Sequence, residues 1–138
     1  MRPTVIASRY RLEQLIGRGG SAEVFRATDL RNQQPVAIKI MVVAIGRAAP
    51  DDGALARDVD AARRLNHPGI ATVLDAGRSA TGAWLVMPLV AGTVLTRYTE
   101  RSRLLPEALV LRLMASLARA VAHAHAQGVV HRDLKPPM

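Results

Sequence analysis

The chain has 138 residues and no cysteine, so it has the size of one domain, can bury a core and contains no disulfide framework. A formal net charge of +8 raises a nucleic-acid partner, but the arginines are scattered singly or in pairs and aromatics make up only 3% of the chain, too few for base stacking, so nucleic acid is set aside. No apolar run reaches the roughly 18 residues of a membrane span, the first ten residues lack the apolar core of a secretory signal, and the absence of cysteine predicts a cytoplasmic location.

Taken in order, residues 1–9 read as a flexible end. Residues 10–16 read as a strand. Next comes Gly17-Arg18-Gly19-Gly20-Ser21-Ala22-Glu23-Val24. Its glycines let the backbone approach a ligand and offer N–H groups to phosphate oxygens, although a plain turn has the same composition. A strand over 24–28 follows the loop, where a dinucleotide fold would open a helix. After a polar turn over 29–34, residues 35–41 form a third strand. Period-2 alternation places Val36, Ile38 and Ile40 on one face and Ala37, Lys39 and Met41 on the other. Lys39 is thus a cation among apolar neighbours, aimed at a ligand or reaching to water along its stem. Of the 19 basic residues only Lys39 and Lys135 are lysine, and a compact ammonium is not interchangeable with guanidinium in a tight phosphate site.

Residues 42–52 read as a linker and 54–65 as a helix with Leu55, Asp58, Ala62 and Leu65 on one stripe. Asp58 either has a partner inside that stripe or lies exposed beside arginines such as Arg57. A corner with His67 follows, then strands over 71–76 and 83–87 around a turn over 77–82. Residues 93–100 predict a short helix. Residues 106–127 predict a long one, with Pro106 in its first turn, Gly128 past its end, and Leu109, Leu113, Leu117, Ala120 and Ala124 as its buried stripe. Val110, Met114 and Val121 lie on an adjacent face of this helix. His123 and His125, two apart, share no helix face, which argues against a metal site. The last stretch is Val129-Val130-His131-Arg132-Asp133-Leu134-Lys135-Pro136. There an Asp that can accept a hydroxyl proton stands two positions from a Lys that can neutralise phosphate charge.

These motifs, in this order, resemble those of the eukaryotic-type (Hanks-type) serine/threonine protein kinases: the Gly-loop, Val36-Ala37-Ile38-Lys39, a helix acid, the Asn66-His67-Pro68-Gly69-Ile70 corner, a strand and hinge over 84–92 and a catalytic loop H-R-D-L-K-P. The resemblance implies an α+β fold: an antiparallel-sheet amino-terminal lobe with one helix, followed by the first helices of a carboxy-terminal lobe truncated after the catalytic loop. It divides the chain into a flexible end (1–9), the amino-terminal lobe (10–87), the hinge (88–92) and a partial carboxy-terminal lobe (93–138). It implies ATP as the bound nucleotide and phosphoryl transfer to protein serine or threonine.

By the same resemblance, Gly17, Gly19, Gly20 and Ala22, which stands where the family's third glycine would be, cover the phosphates. Val24 and Ala37 line the adenine slot, and Lys39 holds the α- and β-phosphates. Asp58, one methylene shorter than the family's glutamate, pairs with Lys39. Met87 gates the pocket, and the Pro88 carbonyl and Val90 N–H read adenine. Asp133 and Lys135 are the catalytic pair. Mg²⁺ is expected for the family, but Met138 stands where its asparagine ligand would be and no D-F-G triplet occurs. Transfer by residues 1–138 alone is therefore not expected. A nucleotide-binding pseudokinase or docking module, or a non-functional fragment, is the alternative. The partners implied are ATP and a protein substrate, with self-association or another protein meeting the incomplete carboxy-terminal lobe.

Overall fold

The computed structural model describes residues 2–20, 22–42, 52–79, 82–131 and 134–136. The strands are β1 (Val5–Ile6), β2 (Tyr10–Arg18), β3 (Ala22–Asp29), β4 (Gln34–Val42), β5 (Asp75–Ser79) and β6 (Gly82–Pro88), and the α-helices are α1 (Asp52–Arg63) and α2 (Glu107–Ala126). The strands make one antiparallel sheet in the order β1-β2-β3-β4-β6-β5. The chain divides into two compact units, Met1–Val59 with Val73–Val90, and Asp60–Thr72 with Ala91–Met138.

In the first unit, alternation decides which face of the sheet is buried. Tyr10, Ala27, Val36, Ile38, Trp84 and Val86 form the core, and all lie on one face by the register Ala27–Val36 and Ile38–Val86. Tyr10 and Trp84 meet edge to face with centroids 5.9 Å apart. Trp84 also lies opposite Gly77 across β5 and β6, and a Cβ at Gly77 would come within 2.3 Å of its ring. Gly77 is therefore required by close approach and not by a turn. Gly77→Ala is expected to cost about 1–3 kcal/mol through overpacking. Thermal unfolding checks this, and an unchanged midpoint would mean that the Trp84 ring swings aside freely.

One end of the sheet is closed by a polar cluster. Arg9 donates from Nε and Nη2 to the buried carboxylate of Asp29 at 2.9 and 2.7 Å, and the Arg31 backbone N–H donates to the same group at 3.0 Å. The Tyr10 hydroxyl donates to Asp75 at 2.7 Å. The hydrogen bond from Arg9 holds the Asp29 carboxyl below the usual carboxylate range against its burial. Burial first, then the bond to Asp75, pushes the Tyr10 hydroxyl up to about 12. The depressed acid contributes stability at neutral pH that is lost as acid protonates it. The raised phenol contributes stability that is complete below its unfolded value near 10 and lost as pH rises toward 12. A fall in stability from about pH 10 upward is expected, and Tyr10→Phe is expected to flatten it. An equal alkaline fall in the variant would assign the effect elsewhere.

Three sequence expectations change. The end expected to be flexible carries β1, whose hairpin to β2 turns through Ala7 and Ser8 at φ 52° and 54°. The strand expected at 71–76 begins only at Asp75 and runs through Gly77 to Ser79, because Gly77 belongs under Trp84. The short helix expected at 93–100 is a 3₁₀ turn over Leu95–Tyr98, followed by a second over Arg101–Arg103.

In the second unit, α2 is preceded by Pro106, whose carbonyl accepts from the Leu109 and Val110 N–H groups at 3.0 Å, and is followed by Gly128 with φ 79°. The stripe expected to be buried is covered only at its carboxy-terminal end, at Ala120 and, in part, Ala124. Leu109, Leu113 and Leu117 are 36–42% exposed, Val110 and Met114 are equally open, and Ala120 is the buried residue of the helix. Leu95, Tyr98, Leu104, Val110, Leu113 and Met114 line a hollow of about 310 Å³ that the 3₁₀ turns do not fill. Among the described residues no helix is long and apolar enough to cross a membrane.

Candidate functional site

Residues paired across antiparallel strands share a face, so the register identifies the side chains that gather opposite the core. One row reads Gly17, Val24, Lys39 and Leu85, and the next reads Arg26, Ala37 and Met87. Two bulges in β2, at Glu13 and Ile16, set this register and bring Gly17 beside Val24. The expected alternation of β4 is what the sheet contains: Val36 and Ile38 enter the core, while Lys39, half-buried, stands on the other face beside the small Ala37.

The turn from β2 to β3 is tight. The Gly19 N–H donates to the Ala22 carbonyl at 2.8 Å, and the Arg18 guanidinium meets the Glu23 carboxylate at 2.9 Å. Glu23 pairs with Ile40, so this clasp is on the core side of the sheet and the Lys39 face of the hairpin stays clear of it. The loop glycines are not demanded by the chain's own packing. A Cβ at Gly17 would meet Val24 at an ordinary 3.7 Å, and one at Gly20 would meet nothing within 4 Å. Neither these two nor Gly19 has a positive φ. Bare backbone without an internal reason is what a close-fitting anion uses.

At the far end of β6, Met87 lies opposite Ala37 and Pro88 opposite Val36. Val90 is 76% exposed beyond the strand. Lys135 belongs to the second unit and is exposed. Asp58 lies on α1, but its side chain is outside the described residues, as are Ser21, Asp133 and Met138. Among the described residues no group of three or more His, Cys, Asp or Glu side chains could hold a metal ion. The side chains that are described thus supply one half-buried cation and an open Gly-loop on a face with small neighbours, an arrangement suited to the phosphates and flat ring of a nucleotide. The Arg18–Glu23 clasp and the Arg9–Asp29 pair are not among the sequence expectations. Opposite charges at the two ends of a Gly-loop are a visible signal for the first, whereas nothing local marks a pair 20 residues apart.

Comparison with known proteins places these features in a family. The profile of the protein kinase domain matches residues 10–137. The chain is 39% identical over 132 residues to the serine/threonine-protein kinase pkn3 of Myxococcus xanthus, covering 95% of this chain and 24% of that protein. It is 34% identical over 131 residues to the serine/threonine-protein kinase PrkC of Bacillus subtilis, covering 95% of this chain and 20% of that protein. It thus spans about a quarter or less of the length of these relatives. Its fold matches the crystal structure of Rad53 1-466 in complex with AMP-PNP with a TM-score of 0.80 at 24% identity, over 93% of this chain and 33% of that one. The chain belongs to the protein kinase family, as part of a kinase domain with the serine/threonine-specific enzymes among its relatives.

Proposed function

We propose that this chain carries the nucleotide-binding part of an ATP-dependent serine/threonine protein kinase acting in the cytoplasm. The observation that supports this most is Lys39, set opposite the core in one row with Gly17 and Val24 beneath a loop whose glycines the protein's own packing does not use. In this reading Gly17, Gly19, Gly20 and Ala22 give backbone N–H groups to the phosphates. Lys39 draws the α- and β-phosphates, with Asp58 as its acid partner. Val24, Ala37 and Met87 enclose adenine, and the Pro88 carbonyl and Val90 N–H read its edge. Asp133 takes the proton of a serine or threonine hydroxyl as its oxygen bonds to the γ-phosphorus and the bond to ADP breaks, while Lys135 balances the charge.

No step is routed through Mg²⁺, because Asp133 and Met138, at the end of the motif where the family's ligand is expected, are outside the described residues. Met138 favours a second reading, nucleotide binding without transfer, because a thioether is a poor ligand for that ion.

Two measurements on the 138-residue chain separate these readings. The first is the rise in melting temperature with ATP, and the second is transfer of labelled γ-phosphate to a serine/threonine polypeptide. Transfer that vanishes in Asp133→Asn supports the kinase reading. An ATP response without transfer supports the second. An ATP response equal in wild type and Lys39→Met removes the nucleotide site from this face.

A further inference from the structure

Two of the four histidines of the second unit, His67 and His123, stand together apart from the nucleotide site. His67 sits in the corner over 64–70 that continues α1, and His123 sits near the end of α2. Their rings are 5.4 Å apart, tilted by 38°. Each accepts a hydrogen bond from backbone. The Asn66 N–H donates to His123 Nε2 at 3.1 Å, and the Gly69 N–H donates to His67 Nδ1 at 2.9 Å. Gly69 is pressed between the two elements, since a Cβ there would be 3.2 Å from both the Ala120 Cβ and His67 Nδ1. Ala120, the buried residue of α2, lies three positions before His123, so one face of the helix receives the whole corner.

An imidazole nitrogen accepts a hydrogen bond only while it carries no proton, so both rings must be neutral for the corner to dock. We propose that His67 and His123 form an acid-released latch, closed at neutral pH, that fixes the corner to α2. Protonation turns each accepting nitrogen into a donor facing another donor, and it sets two cations side by side. Of the charged groups near in sequence, Arg63 ends α1, Arg64 opens the corner, Arg119 stands one helical turn before His123 and His125 lies two positions after it, while the nearest acid on α1, Asp60, is exposed. The latch therefore opens as acid adds protons to the accepting nitrogens and closes as they are removed. Since the corner is the continuation of α1, which carries Asp58, acid loosens the anchor at the carboxy-terminal end of that helix.

Nuclear magnetic resonance on the 138-residue chain tests this. At pH 7.5 His67 is expected as the Nε2–H tautomer and His123 as the Nδ1–H tautomer, and the opposite tautomer at either ring overturns the proposal. Between pH 7.5 and 5.5, protection factors of the Asn66 and Gly69 amides, corrected for intrinsic exchange, are expected to fall at least about fivefold, the worth of one neutral hydrogen bond. The Ile38 amide serves as the unchanged reference. In His67→Asn/His123→Gln, whose side-chain oxygens accept the same bonds at any pH, the fall is expected to vanish. A fall that persists in that variant, or none in the wild type, refutes the latch.

Discussion

Ile38→Ala is expected to remove about 2–5 kcal/mol of stability, while Lys39→Met, one residue further on, is expected to leave stability nearly unchanged and to weaken the response to ATP. The two side chains share one strand and point to opposite faces. Ile38 has no exposure and packs among Tyr10, Trp84 and Val86, so its truncation leaves a cavity that the rigid sheet around it cannot close. Lys39 stands on the other face, half-buried, and its stem is as long as that of methionine, so Met keeps the packing and discards the charge. ATP at about ten times its Kd stabilises the native chain by about 1.4 kcal/mol through mass action, and loss of the phosphate contact from Lys39 shrinks that gain. The pair of variants therefore crosses over. One lowers the melting temperature and keeps an ATP-dependent rise in whatever remains folded, and the other does the reverse. If Lys39→Met unfolds the sheet as badly as Ile38→Ala, Lys39 belongs to the structure and not to a ligand. If both variants respond to ATP like the wild type, the nucleotide does not sit on this face.

That crossover is legible in the residues of 35–41 themselves, because the strand has a clean period of two and a single charge in it. The Gly-loop between two strands is legible for the same reason: glycine clusters and alternating residues are local signals. What escapes a reading of the sequence is non-local or ambiguous at the residue level. The hairpin joining β1 to β2 turns through Ala7 and Ser8, which carry none of the Gly or Asn signature usual for positive φ. Gly77 looks like a turn residue, and only the Trp84 ring lying over it explains its place inside β5. The bulges at Glu13 and Ile16 decide that Gly17 lines up with Val24, and no composition marks them. Arg9 finds Asp29 across 20 residues and Tyr10 finds Asp75 across 65, distances over which a sequence pattern says nothing about charge pairing. Asp133 is the opposite case. Its assignment rests on the motif around it, since its position is outside the described residues.

The amides of α2 are expected to exchange on the order of a hundredfold faster than those of β4, a difference of nearly 3 kcal/mol in the free energy of opening. Helical periodicity correctly gives α2 an apolar face, but periodicity states only that a face wants cover and not what supplies it. β4 is hydrogen-bonded on both sides, to β3 and to β6, and buries Val36 and Ile38. Breaking its bonds means opening the sheet and its core together. α2 presents Leu109, Val110, Leu113, Met114 and Leu117 at 36–45% exposure and buries Ala120. Side chains left this open forfeit a good part of the roughly 1.5–3 kcal/mol that each would gain from full burial, so little beyond the helix's own bonds resists its unwinding. The same face makes exchange depend on concentration: if copies cover one another's leucines, protection in α2 rises with protein concentration while that of β4 stays constant. Leu113→Ala is then nearly neutral in dilute solution, with a cost under about 1 kcal/mol, against the much larger cost of Ile38→Ala. Equal protection of α2 and β4 in a dilute, monomeric sample would show that these leucines are covered in solution and that the helix is held by more than Ala120 and the corner docked beside it.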